Sequence, residues 1–201
     1  MTTHLFHGHR LWHFHGGLHL PEHKEATRDR ESHPLPLPKR LVLSLHQHIG
    51  EDAEPVVRVG ERVWKGQPIA RAPSYVSAPL HAPTSGTVTD IGEHPLPHPS
   101  GLPGPCIVIE PDGEDAWWPD RPQGTREWQA LDAAEIRQRV RDAGIVGLGG
   151  AAFPTAVKLN PPAAHPVDTL VINGAECEPY ITCDDRLMRE RADEILEGIR
   201  I

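Results

Sequence analysis

Residues 144–160, "GIVGLGGAAFPTAVKLN", place four glycines within seven positions and follow them with Phe153, Pro154, Thr155 and Lys158. Glycine is costly to order and has no side chain to bury, so such a cluster marks either a flexible connector or a backbone that a ligand must approach closely. Bare amides at Gly147, Gly149 and Gly150 beside the Lys158 ammonium are suited to a phosphate or another anion. A second polar stretch, "NGAECEPYITCDDR" at 173–186, follows an apolar run and supplies Asn173, Glu176 and Glu178. Loop, short helix, lysine and strand in that order are an α/β arrangement that holds an anionic group at the carboxyl edge of a strand. The loop is not a Walker A sequence, because no Gly-Lys-Ser/Thr follows the glycines, and it is not the usual dinucleotide fingerprint, because a helix rather than a strand precedes it. Plainer readings stand beside these: the loop as a hinge, Asn173 as a turn former, Pro154 and Pro179 as terminators, Asp184 and Asp185 as a helix cap. Cys177 and Cys183 are six residues apart without further partners, the pattern of incidental thiols rather than cluster ligands.

The elements that must position these residues show in the hydrophobic pattern. Residues 1–40 form an extended N-terminal arm rich in His and Pro (His4, His7, His9, His13, His15, His19, His23), with no closed ligand set on a rigid element. The prolines at 34, 36 and 38 lead into "RLVLSLHQH", where Leu41, Leu43 and Leu45 alternate as in a half-buried strand. From 41 to 111 the chain reads as short strands between turn signals, with Gly60, Gly66 and Gly86 at tight turns. Residues 112–130 lack periodicity and hold three of the five tryptophans, as in a linker laid over a neighbouring domain by aromatic anchors. An α/β region from 131 to 201 follows. "LDAAEIRQRVRDAG" predicts a helix with Asp132 as N-cap, Glu135 as capping-box partner and Gly144 as its stop. "TAVKL" predicts a short helix, "DTLVIN" a buried strand, and "DDRLMRERADEILEGIRI" one amphipathic helix with Leu187, Met188, Ile195, Leu196 and Ile199 apolar.

A net charge of −8 and an isoelectric point near 5.9 exclude an extended nucleic-acid surface. No run approaches the roughly 18 apolar residues of a membrane span, and the first residues lack the apolar core of a signal peptide. A cytoplasmic protein with reduced thiols is expected, since the three cysteines form no CxxC pair.

"VxVGxxVxxGQxIA" followed by "HAPTSGTV" resembles the barrel-sandwich fold of lipoyl and biotinyl carrier domains, although "RAPSYVSAPL", where carriers hold the modified lysine, has none. A docking or structural role therefore fits better than a swinging arm. Together, "GIVGLGGAAFPTAVKL" and "LVINGAECEPYITCDDRLM" resemble the NADH-binding flavoprotein subunit of respiratory complex I and, more closely, the RnfC family of the Rnf electron transport complex. "FHGGLHLPEHK", "PVVRVGERVWKGQPIA" and "HPSGLPGPCIVIEPDGED" extend that resemblance over nearly the whole chain. It implies a mixed fold, a β-rich barrel-sandwich hybrid domain followed by a truncated Rossmann-like α/β domain for flavin and nucleotide. It also implies FMN held on its phosphate side by the glycine loop and Lys158, an aromatic near the nucleotide at Phe153, and Asn173, Glu176 and Glu178 lining the isoalloxazine and nicotinamide region. Gly174 and Ala175 stand where the complex I pattern has an additional Asp. The implied function is electron transfer between NADH and ferredoxin coupled to ion translocation, by a peripheral subunit held to the cytoplasmic face of the bacterial inner membrane by the other Rnf subunits. The two [4Fe–4S] clusters of that family sit on CxxCxxC-type runs absent here, so they are expected in a longer product. A non-catalytic scaffold that binds no nucleotide is the alternative.

Overall fold

A computed structural model describes residues 15–18, 20–125, 127–162, 164 and 167–201. His4, His7, His9, His13 and His19 of the arm lie outside the described residues. Two compact units emerge: Ser32–Asn173 with Asp193–Ile201, and the residues up to Glu31 with Gly174–Ala192.

The larger unit is built on seven strands: β1 (Leu41–Ser44), β2 (Glu54–Pro55), β3 (Arg62–Val63), β4 (Pro68–Arg71), β5 (Leu80–His81), β6 (Gly86–Pro95) and β7 (Pro103–Pro111). They form one antiparallel sheet in the order β1-β7-β6-β3 and a second in the order β2-β4-β5. The alternation in "RLVLSL" works as expected: Leu45 is buried, Leu43 packs on the core from the edge, and Val42 faces outward. Val63, Ile69, Ala70, Val88, Ile107 and Ile109 are fully enclosed between the sheets. Burying side chains of this size contributes about 1.5–3 kcal/mol each. β6 and β7 pair from Gly86↔Pro111 to Pro95↔Pro103, with a bulge between Val88 and Asp90.

Gly60 (φ 86°) and Gly66 (φ 79°) occupy turns that need the left-handed region. Gly86 differs from the expectation: it opens β6, and its reason is close approach, since a Cβ there would lie 2.3 Å from the Glu110 carbonyl oxygen.

The stretch after β7 is laid over the barrel by more than aromatic contact. Ser85 Oγ and Thr84 Oγ1 donate to Asp112 and Asp115 at 2.7 and 2.9 Å, and Lys65 pairs with Asp115. Trp117 packs its ring on Gly66, with the Lys65 ammonium 5.0 Å and the Arg121 guanidinium carbon 5.4 Å from its centroid.

Helices α1 (Ala133–Asp142), α2 (Thr155–Lys158), α3 (Cys183–Glu190) and α4 (Ala192–Arg200) follow. Two expectations fail here. "DTLVIN" forms no strand: it has no ladder partner, and Leu170, Val171 and Ile172 are 64%, 77% and 52% exposed. A strand of a parallel sheet is covered on both faces and paired at its sides, and nothing among the described residues supplies those neighbours, so no Rossmann-like sheet is present among them. The single long helix is also divided, because Arg191 (φ −134°, ψ 35°) leaves helical geometry between α3 and α4.

Among the described residues, no helix is long and apolar enough to cross a membrane.

Candidate functional site

The glycine loop is held at a defined neck. α1 starts as the sequence predicts, with Asp132 Oδ1 accepting from the Glu135 amide at 2.8 Å. The capping box is only half made, because the Glu135 carboxylate turns forward to Arg139 at 2.9 Å. At its other end Gly144 (φ 66°) donates to the Arg141 carbonyl and Ile145 donates to the Val140 carbonyl, a Schellman closure that turns the chain out of the helix. Two strand-like bonds then close the neck: Thr155 N–H to the Ile145 carbonyl at 3.0 Å and Gly147 N–H to the Phe153 carbonyl at 2.8 Å. α2 begins immediately at Thr155.

Within this ring the structure brings together Gly147, Phe153 and Lys158. The Lys158 ammonium lies 3.0 Å from where a Cβ on Gly147 would stand and 5.9 Å from the Phe153 ring centroid. Lys158 is exposed and forms no ion pair among the described residues. Gly149 and Gly150 are exposed, neither has positive φ, and an added Cβ on either meets nothing within 4 Å. Among the described residues neither turn geometry nor packing requires glycine at these two positions. Among the described residues the amides of Leu148, Gly149 and Gly150 donate no backbone hydrogen bond, whereas Ala152 N–H closes back on the Gly149 carbonyl at 3.0 Å. Ala152 itself sits at φ 42°, a strained conformation for a residue with a Cβ.

Asn173 is exposed at the end of the irregular 167–173 run. Glu176 and Glu178 belong to the smaller unit and have structural connections there. Glu176 Oε1 accepts from the Asp184 and Asp185 amides at 3.0 and 3.1 Å and thereby caps α3, a task the sequence suggested for the aspartates themselves. Burial pushes the Glu176 carboxyl up, but the hydrogen bonds from Asp185, Cys183 and Asp184 and the charge of Lys24 outweigh it and hold it below its ordinary value. The same carboxylate raises the Cys183 thiol, as does desolvation, so Cys183 stays protonated. Glu176, Cys183 and Asp184 lie close enough to suggest a metal site, yet the cap already accounts for their arrangement.

The Glu178 side chain is exposed, while its carbonyl accepts from Lys24 Nζ at 2.9 Å. Lys24 also donates to the Ile181 carbonyl at 2.8 Å, and His23 stacks on Tyr180 with ring centroids 4.7 Å apart. Sequence reasoning treated residues 20–31 as part of a solvated arm and missed this anchorage. No local motif announces it, since its partners are backbone carbonyls more than 150 residues away.

Residues 12–114 match the RnfC barrel sandwich hybrid domain, and residues 140–201 match the Nuo51 FMN-binding domain. Fold, loop and these matches thus define a barrel-sandwich domain followed by a segment of the FMN-binding-domain type. Over 98% of its length the chain is 53% identical to the C subunit of the ion-translocating oxidoreductase complex of Rhodobacter capsulatus, and over 94% it is 53% identical to that of Pseudomonas aeruginosa. The protein of the same name from Erwinia tasmaniensis is 50% identical over 98% of the chain. The chain belongs to the RnfC family, the C subunits of the Rnf ion-translocating oxidoreductase complexes. It spans 38% of the length of the Rhodobacter protein and 24% of the Pseudomonas and Erwinia proteins.

Proposed function

We propose that this chain supplies the phosphate-binding end of an FMN site in a subunit that takes electrons from NADH and passes them toward ferredoxin within an ion-translocating complex. The observation that carries this reading is the pair Gly149 and Gly150. Among the described residues their bareness has no cause, the amides of Leu148–Gly150 have no backbone partner, and the lysine beside them has no counter-ion. The residues present fit the group: amides and an ammonium complement a phosphate monoester. Gly147 leaves room for the Lys158 ammonium to lie over the loop, and Phe153 offers an apolar edge beside it. When bound, the flavin provides the step between two-electron hydride and single-electron chemistry, and the protein orients it and sets its electrostatics. Asn173, Glu176 and Glu178 are assigned to the isoalloxazine and nicotinamide side by family resemblance alone. Two [4Fe–4S] clusters, carried in the remainder of the longer protein, continue the route. Docking to the other Rnf subunits holds it at the cytoplasmic face of the inner membrane.

The test is a titration of FMN into the full-length protein and its Gly150→Val and Lys158→Ala variants. A Cβ at 150 meets nothing within 4 Å among the described residues, so Gly150→Val is expected to fold while phosphate approach is blocked and binding is lost. Removing the Lys158 charge weakens binding about ten- to a hundredfold, less at high salt. Unchanged affinity in both variants would return the loop to a connector and favour the scaffold reading.

A further inference from the structure

The loop Ser74–Pro79 between β4 and β5 is the position at which carrier domains of this fold present their modified lysine. Here it is immobilised from both sides. On the barrel side, His48 is 3% exposed, with Nδ1 3.2 Å from the Ile49 carbonyl and Nε2 3.1 and 3.2 Å from the Ala78 carbonyl and amide. Glu51 N–H donates to the Val76 carbonyl, and Ser77 Oγ donates to the Glu51 carbonyl at 3.0 Å. Gly50 (φ 101°) lies so close that a Cβ would overlap the Val76 carbonyl.

The other side of the loop receives the helices that carry the glycine ring. Arg141, in the last turn of α1, donates from Nη1 to the Tyr75 carbonyl at 2.9 Å and from Nη2 to the Ser74 carbonyl at 2.6 Å. Its guanidinium carbon is 5.7 Å from the Tyr75 ring centroid. Asn160, just beyond α2, donates to the Tyr75 hydroxyl at 3.2 Å. Gly144 comes so near that a Cβ would stand 2.5 Å from the Pro79 carbonyl oxygen and 3.3 Å from the His81 ring. Arg141 lies just before Ile145, the first residue of the neck, and Asn160 just after Lys158. Both ends of the glycine ring are therefore tied to one rigid loop.

We infer that Arg141 is a positioning residue whose two-pronged grip on the Ser74 and Tyr75 carbonyls holds the glycine loop in register on the barrel. The loop that serves carriers as a moving arm is here the fixed seat of the anion-binding ring. Arginine suits the task because its planar fork presents two donors in fixed geometry to two adjacent carbonyls, where an ammonium offers one nitrogen without that fork. Only the affinity consequence rests on the FMN reading; the mechanical one does not.

The experiment compares full-length wild type with Arg141→Ala, Arg141→Lys and Lys158→Ala by amide hydrogen exchange and FMN titration. In Arg141→Ala, exchange across residues 145–155 speeds up about tenfold and FMN affinity falls about tenfold, while peptides covering β6 and β7 exchange as in wild type. Arg141→Lys recovers part of both effects, because it keeps the charge and a donor nitrogen but lacks the fixed fork. Lys158→Ala weakens FMN without altering exchange. Wild-type exchange across 145–155 in Arg141→Ala overturns the inference, and so does a uniform rise that includes β6 and β7, which would make Arg141 a general stabiliser. Faster loop exchange in a protein that binds no FMN in any form would uphold the grip and defeat the flavin reading instead.

Discussion

A methyl group added at Gly86 would stand 2.3 Å from the Glu110 carbonyl oxygen, inside the β6–β7 ladder, whereas at Gly60 it meets nothing within 4 Å and the obstacle is a φ of 86°. These are different penalties. Gly86→Ala must displace backbone in a packed sheet and is expected to cost about 3 kcal/mol. Gly60→Ala incurs left-handed strain, partly offset by a stiffer unfolded chain, for a net of about 1 kcal/mol. Urea unfolding of the two variants measures this, and equal losses would remove the distinction. A sequence shows only that glycine is present. Gly60 and Gly66 fall in turn contexts that announce their cause, whereas close approach at Gly86, like the openness of Gly149 and Gly150, is a property of surroundings that only assemble on folding.

Elements with local causes were legible. α1 follows from Asp132, the apolar spacing of Ile136 and Val140, and Gly144, and all three act as their residue types dictate. The interruption between α3 and α4 was not, because "LMRERADEIL" contains no breaker and a helical pattern runs through it. The junction of α1 with the barrel escaped for another reason: Arg141 spends its donors on carbonyls, which carry no sequence signature. That junction also carries a titrating group. Burial pushes His81 below its ordinary value, against the opposing pull of the Asp142 carbonyl and charge. The unfolded chain therefore binds a proton at a pH where the folded chain does not, so stability falls as pH drops below about 6.5 and levels off once the folded histidine is also protonated. Thermal unfolding of wild type and His81→Gln between about pH 5 and 7.5 isolates this share. The wild type should lose more on acidification than the variant, and parallel profiles would show that His81 does not report on the junction.

For the molecule as a whole, the barrel was legible because period-two patterning and turn residues are local, while the strand expected at "DTLVIN" was not, because a parallel sheet is defined by partners. The run Val167, Leu170, Val171 and Ile172 has the composition of an interior strand but is largely exposed. Apolar surface of that kind drives association in water. The 201-residue chain is expected to self-associate with rising concentration, and Val171→Lys to reduce this, as read by sedimentation velocity; identical behaviour of both proteins would clear the run of responsibility.

The ladder between β6 and β7 sets the order in which the barrel is made. Its strands are neighbours in the chain, and the pairs nearest the turn, Pro95↔Pro103 and His94↔Gly104, close small loops. β1, by contrast, meets β7 only by joining Leu41 to Ile109 across most of the domain, and that closure is entropically slow. The hairpin is therefore expected to form the nucleus, with β1 arriving after the rate-limiting barrier. Truncating Val88, fully buried on β6, should slow refolding in proportion to the stability it removes, whereas truncating Leu43 should act almost wholly by accelerating unfolding. Stopped-flow measurement of both arms of the kinetics separates the two. On a ribosome, where the chain emerges from its N-terminus, β1 must then wait unpaired until β7 has been synthesised.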